Sequence, residues 1–412
     1  MISTHPIKTL RIPAFRNLIC GRFFLVLAFR MLATLLGWWV YQLTKDPFAI
    51  GLIGLSEVIP AVSSALYAGH VIDNSEKKRL LLICNYAYVV LIGSLAALAY
   101  FESELHMYTN RQLTWFIYGT IFLTGICRAF IGPLVPTMIP KIVGSARLPA
   151  AITINQATFL TASVSGHALG GFLIHWFGIP GTLMIIVSIM SFASVFFWFI
   201  PRHPSENLGL QTKIMESMKE GLRYIYKTKE ILGALLLDMF AVLFGGAVAM
   251  IPVFASDILM VGSQGFGLLN AASDIGAMMV IITLSIVPLR KNQGKILLFA
   301  VGGFGLCIIG FGLSKLYWLS FILLMMSGIL DGISVVIRGT IVQLKTPEKI
   351  RGRVLSVNSI FIMSSNELGQ FESGVAAKLL GVVRSVIFGG SMTLLIALAV
   401  GKNFPSLRRM KY

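Results

Sequence analysis

Long apolar runs, each closed by charge or by glycine and proline, divide the chain near residues 18–42, 48–72, 80–101, 113–139, 148–175, 180–200, 231–255, 265–289, 295–313, 317–344, 353–378 and 385–400. A helix needs about 20 mostly apolar residues to cross a bilayer, and these runs supply that length. They lack the alternation of barrel strands, and a helix satisfies its own backbone N–H and C=O groups where no water reaches them. The pattern predicts an all-α membrane protein with twelve transmembrane helices.

The polar intervals between the runs carry an orientation. Lys8, Arg11 and Arg16 precede the first run, Lys77, Lys78 and Arg79 follow the second, Lys141 and Arg147 the fourth, and Arg202, Lys213, Lys219, Arg223, Lys227 and Lys229 the sixth. The second half repeats this with Arg290, Lys291 and Lys295, then Lys345, Lys349, Arg351 and Arg353, then Lys402, Arg408, Arg409 and Lys411. The alternate intervals hold only Lys45, Arg111, Lys315, Lys378 and Arg384. Basic loops stay in the cytoplasm, so both termini are expected there, in the inner membrane. The longest polar interval, 201–230, contains an amphipathic stretch from Ile214 to Ile225 with Lys213, Lys219 and Arg223 as its basic face. It separates an expected six-helix bundle at 1–200 from a second at 231–412. Paired halves of this kind place a substrate site at the midplane between them.

Composition narrows the classes further. Of 412 residues, 56% are hydrophobic and 12% charged, and the mean hydropathy is +0.82. A soluble chain carries about 25% charged residues, and twelve spans leave no room for a sizeable soluble domain. The net charge of +17 is spread in small clusters between apolar runs, which argues for a lipid bilayer and against nucleic acid. The first run is too long for a cleavable signal and lacks a small-residue cleavage site. Cys20, Cys84, Cys127 and Cys307 lie in or beside apolar runs, well separated, and read as reduced structural residues. The chain lacks a phosphate-binding loop, a His-Glu-x-x-His pair and a Gly-x-Ser-x-Gly elbow, so it reads as no enzyme, without cofactor or metal, and as a monomer.

Ionisable residues inside lipid are costly and tend to face protein or water. Here they are Arg30 in the first span, Glu57 in the second, Arg128 in the fourth, Asp238 in the seventh, Asp274 in the eighth, Asp331 and Arg338 in the tenth, and Glu367 and Glu372 in the eleventh. The third, sixth, ninth and twelfth spans have none in their interiors, so every third helix is expected to face lipid. Asp331, Ser334 and Arg338 share one helix face and form either a polar strip into a cavity or an ion pair that fixes packing. Asn155 and Gln156 in the fifth span suit either substrate or a neighbouring helix.

Between the second and third spans, Gly69-His70-Val71-Ile72-Asp73-Asn74-Ser75-Glu76-Lys77-Lys78-Arg79 resembles the Gly-x-x-x-Asp-Arg-x-Gly-Arg-Arg loop of the major facilitator superfamily, with Asn74 for Arg and Glu76 for Gly. Arg128 followed by Gly132 is similar to its Arg-x-x-Gln-Gly element, with Ile131 for Gln. Gly166-His167-Ala168-Leu169-Gly170-Gly171 resembles the Gly-Pro-x-x-Gly-Gly motif of its antiporters, with His167 in the proline position. Leu43-Thr44-Lys45-Asp46-Pro47, Glu220-Gly221-Leu222-Arg223-Tyr224 and the stretch from Arg351 to Gly374 resemble the branch of siderophore and macrolide exporters.

The resemblance implies a major facilitator fold that exports a small organic molecule in exchange for protons. Arg30, Arg128, Asp238, Asp331 and Arg338 are then expected along the substrate or proton path, with Glu57, Asp274 and Glu367 as second choices. Gly69 and Asp73 are expected to gate, Gly69 through a close approach and Asp73 through a helix-end contact. The acids Glu57, Asp238, Asp274, Asp331, Glu367 and Glu372 outnumber the arginines Arg30, Arg128 and Arg338, so Asp238 or Asp331 is the expected proton carrier. A metabolite or lysolipid flippase and a non-transporting sensor are the rival readings.

Overall fold

The computed structural model describes residues 6–106, 108–202, 214–286 and 292–410, and among these every regular element is helical. The first four spans are α1 (Pro13–Thr44), α2 (Pro47–Asn74), α3 (Lys77–Leu105) and α4 (Asn110–Val143). α4 starts at a capping box, in which Thr109 Oγ1 accepts from the Gln112 N–H and Gln112 Oε1 accepts from the Thr109 N–H. The helix Leu148–Trp198 holds the next two spans, α5 (148–177) and α6 (179–198), divided at Gly178. Gly178 takes φ 66° and ψ −173°, outside the helical region, and Pro180 follows without a donor for the ladder.

The second half contains α7 (Lys229–Phe244), α8 (Gly262–Ile286), α9 (Gln293–Leu313), α10 (Tyr317–Lys345), α11 (Glu348–Leu380) and α12 (Val382–Asn403). Twelve spans are thus present among the described residues, where twelve apolar runs are read. Ten helical stretches among the described residues are long and apolar enough to cross a membrane, and one of them, Ser145–Trp198, carries both α5 and α6. α11 falls outside that set because its middle carries Asn358, Asn366, Glu367 and Gln370 among serines, and its ends are charged.

The seventh span departs from the continuous helix its apolar run predicts. α7 stops at Phe244, and the chain continues through a 3-10 turn at Gly246–Met250, one α turn at Ile251–Val253 and a π turn at Phe254–Ile258. Gly245 and Gly246 weaken the helix and Pro252 removes a donor. Met250, Ile251, Phe254 and Ala255 are buried, so protein rather than lipid surrounds the irregular backbone.

Helix pairs recur in the two halves. A Cβ at Gly166 of α5 would stand 2.7 Å from the Leu27 carbonyl of α1, and one at Gly369 of α11 would stand 2.8 Å from the Val242 carbonyl of α7. Gly21 of α1 abuts Phe197 of α6, as Gly389 of α12 abuts the Phe244 carbonyl at the end of α7. Asn85 of α3 donates to the Met190 carbonyl and Ser194 Oγ of α6, and the matching α9–α12 seam joins Gly305 to Gly390. Small residues let the backbones meet, which gives helices in lipid their packing. Val90 on α3, Trp198 on α6, Phe299 on α9 and Leu398 on α12 are all more than half exposed, as expected of lipid-facing spans.

Two compact units result, Met1–Thr44 with Ile59–Gly209 and Lys45–Val58 with Leu210–Tyr412. The first part of α2 therefore belongs with the second half. There Gly51 and Gly54 lie on the α11 backbone, a Cβ at Gly51 standing 3.0 Å from the Gly374 Cα, and Lys378 Nζ lies 4.5 Å from the Phe48 ring centroid. The core of the second unit joins Leu235, Leu237 and Ala241 of α7 to Ile337 and Ile341 of α10 and Val354 and Val357 of α11.

The amphipathic stretch in the central interval is a helix, Ile214–Lys227. Glu220 pairs with Arg353, Gly221 lies against the Arg353 carbonyl, and Tyr224 Oη donates to the Lys345 carbonyl at 2.5 Å. These contacts turn Lys219, Leu222, Arg223 and Tyr226 outward. Lys213 lies outside the described residues.

Candidate functional site

The second unit brings Asp238 of α7 and Arg338 of α10 into a direct ion pair. The two residues are 6% and 5% exposed, flanked by Leu237 and Ile337 of the apolar core. Water cannot hold either charge at that depth, so each depends on the other. Of the two readings of the Asp331, Ser334 and Arg338 face, a polar strip or an ion pair that fixes packing, Arg338 makes an ion pair, and its partner is on α7. Ser334 is buried on α10 and Asp331 half-buried, but among the described residues Arg338 pairs across to α7.

Asp274 is half-buried on α8, where the packing against α10 is tight: Gly332 would place a Cβ 3.3 Å from the Ala277 Cα. Glu57 and Glu367, both half-buried, lie near one seam, because Gly54, one turn before Glu57, sits on the Glu367 carbonyl. Glu372 is half-buried further along α11.

In the first unit the polar groups cluster on the α1–α5 seam. Arg30 lies with its Cζ 5.4 Å from the Phe159 ring centroid, and Arg22, two helical turns earlier, with its Cζ 5.9 Å from the same ring. Thr34 donates to the Arg30 carbonyl at 3.0 Å and stands 2.8 Å from His167 Nδ1. Gly166 and Gly170 bring α5 this close, since a Cβ at Gly170 would stand 3.2 Å from the Met31 Cα. The glycines of the antiporter-like motif therefore place His167 against α1. Arg22 and His167 are absent from the residues expected on the path. Arg22 stands near the start of the first apolar run, and His167 holds the proline position of the antiporter-like motif.

Arg128 is half-buried on α4. At Gly69 a Cβ would meet no atom within 4 Å, so the close approach expected there is not made in this structure. Asp73 falls near the end of α2, and its side chain lies outside what the structure describes. In the same loop Glu76 approaches Arg202 at 3.7 Å and Lys78 donates to the Trp198 carbonyl at 2.7 Å, tying the loop to the end of α6. Among the described residues no group of His, Cys, Asp and Glu could hold a metal ion.

The model of a family described as transmembrane secretion effector matches residues 4–411. Enterobactin exporters EntS from Citrobacter koseri and Escherichia coli O1:K1 are 24% and 23% identical to this chain, each alignment covering all of it and 95% of the relative. Among solved structures, a point mutant of the nucleoside transporter NupG aligns with a TM-score of 0.75 at 13% identity, over 95% of this chain and 100% of that one. A D-xylose-proton symporter aligns with a TM-score of 0.71 at 14% identity, over 98% and 100%. These structural likenesses speak for the fold.

Proposed function

Because the chain belongs to the transmembrane secretion effector family of major facilitator transporters, we propose that it exports a small organic molecule across the inner membrane by proton-coupled alternating access. The full-length similarity to enterobactin exporters supports the direction. The observation that carries the coupling is the buried Asp238–Arg338 pair, which joins α7 to α10 by charge in an apolar core. A proton on Asp238 cancels the charge that holds Arg338, and the α7–α10 link then rests on packing alone. Release of the proton restores it. A titratable link between two helices is a two-state element that a proton gradient can bias. Asp331, seven residues before Arg338 on α10, is the second carboxyl within this scheme. The basic loops support cytoplasmic termini, and a monomer suffices for the cycle.

Flux into proteoliposomes tests the proposal, with dyes and siderophore-like probes scanned under an imposed pH gradient. The wild-type protein should concentrate a probe, and Asp238→Asn with Asp331→Asn should abolish that while passive exchange continues. Gradient-driven accumulation by the double variant with unchanged pH dependence would move the proton path elsewhere. Lipid movement without a gradient would favour a flippase, and absence of any flux would remove the transport reading.

A further inference from the structure

The helix Ile214–Lys227 has one face held by the protein and one face turned away from it. At about 100° per residue, Glu220, Gly221, Tyr224 and Ile225 fall on one side, while Lys219, Leu222, Arg223, Tyr226 and Lys227 share the other within an arc of about 140°. The first side is committed. Glu220 pairs with Arg353, a Cβ at Gly221 would stand 2.9 Å from the Arg353 carbonyl, Tyr224 donates to the Lys345 carbonyl, and Ile225 is buried in the apolar core of the second unit. The second side is exposed throughout, Tyr226 by 74% and Leu222 by 46%, with the three basic side chains beside them.

What the inner face holds sets the depth of the outer one. Lys345 is the last residue of α10, Arg353 lies in the second turn of α11, and Thr228 alone separates this helix from α7. Charged residues at those ends, Lys229, Lys345 and Glu348 among them, mark where the spans leave the apolar layer. An amphipathic helix at that level buries its apolar side chains at the headgroup–acyl boundary and keeps its cations among the headgroups. Lysine and arginine lay their stems along apolar surface with the charge outward, and tyrosine is at home in the same layer. Charge then selects the lipid. Lys219, Arg223 and Lys227 recur every fourth residue in one stripe; of the two acids of the helix, Glu220 is taken by Arg353, and Glu216 precedes the described side chains. We propose that this face docks on anionic phospholipid headgroups, with Leu222 and Tyr226 entering the acyl boundary. Through its inner face the helix then ties the ends of α10 and α11 to the charge of the leaflet. The docking requires neither export nor proton coupling, so it stands or falls apart from them.

Tyr226→Trp keeps an amphipathic ring on the face and adds a reporter to the six native tryptophans. Full-length protein with and without this change is placed in nanodiscs of mixed phosphatidylcholine and phosphatidylglycerol, with bromine on the acyl chains of one lipid or the other. The difference in quenching between the two proteins reports the lipid that stands at position 226, and two like leaflets make the result independent of orientation. Phosphatidylglycerol should be preferred by at least about tenfold, since each basic side chain near an anionic surface favours it by roughly fivefold. Lys219→Gln with Arg223→Gln and Lys227→Gln should bring the preference to within about twofold. Lys219→Arg with Lys227→Arg retains the charge and should retain the preference, which separates charge from a packing defect. Melting checks the fold of each variant, and if the glutamine variant unfolds, salt decides: the preference should fall as surface charges are screened. Equal quenching by the two lipids, a preference that survives the glutamines, or one that ignores salt would overturn the docking. So would a reporter that neither lipid quenches, which would leave the face in water or under a soluble partner.

Discussion

Replacing Arg338 by methionine removes the only positive charge that the described structure places on Asp238, and it does so in an apolar setting. Asp238 is 6% exposed and its neighbours in the core include Leu237 and Ile337, so water cannot take over the role of the guanidinium. Removing one partner of a buried pair costs about 3–5 kcal/mol, because the remaining charge is stranded. Asp238→Leu should cost a similar amount by stranding Arg338. Replacing both at once removes both desolvation penalties, and such apolar substitutions of a buried pair are neutral or stabilising by about 1–4 kcal/mol. The Asp238→Leu/Arg338→Met protein should therefore be at least as stable as either single variant and close to wild type. Unfolding of purified protein in mixed micelles, titrated with denaturing detergent, measures the three differences. Effects that add to within about 0.5 kcal/mol would refute the reasoning, since independent sites add in that way and a mutually dependent pair does not. The same double variant separates packing from coupling. It should fold well and yet fail to use a pH gradient.

Gly166→Val forces a Cβ within 2.7 Å of the Leu27 carbonyl and 2.6 Å of the Arg30 Cβ, and overpacking of this kind costs about 1–3 kcal/mol; unchanged melting would show that the α1–α5 seam is looser than described. Gly69→Ala meets open space and should leave melting unaltered, so a lost transport rate in that variant would arise in another state of the cycle. Tyr224→Phe removes the hydroxyl bound to the Lys345 carbonyl and should cost about 0.5–1.5 kcal/mol; proteolysis within the helix Ile214–Lys227 should quicken, and an unchanged cleavage rate would count against the tether. In intact cells, cysteines placed beside Lys77, Arg223, Arg290 and Arg351 should resist an impermeant label; efficient labelling would reverse the orientation.

Much of the architecture is written in the apolar runs, because in lipid a backbone has few ways to satisfy itself. The ends of α4 follow from Thr109 and Gln112, and the kink at 178 from a glycine two residues before a proline. The break after Phe244 is harder to read: Gly245 and Gly246 are visible, but glycines inside the other spans pack without breaking them, as Gly305 does. Pairings across the chain are harder still. That Arg338 meets Asp238 and not Asp331 depends on which face of α10 turns to α7, and helix periodicity gives only the relation of Asp331 to Arg338. Arg22 is hidden for a different reason, since it lies near the start of the first apolar run and spacing alone does not say what its side chain meets. Only the position of Phe159 on α5 shows it drawn inward beside Arg30.

The interruption of the seventh span alters how that element carries motion. A continuous helix behaves as a rod, so twisting one end turns the other. Here the arm holding Asp238 ends at Phe244, and the far arm is held separately, with the Phe254 ring tilted against the Phe311 ring of α9 at a centroid distance of 4.5 Å. Between them the i→i−4 ladder gives way to the 3-10 turn at Gly246–Met250, and a segment with an interrupted ladder opens locally at less cost than the whole fold. The interruption lets the ion-paired arm and the aromatic-held arm turn without one forcing the other through a continuous helix. Amide exchange along the span should accordingly fall into two protected blocks with a fast-exchanging stretch at Gly245–Val253.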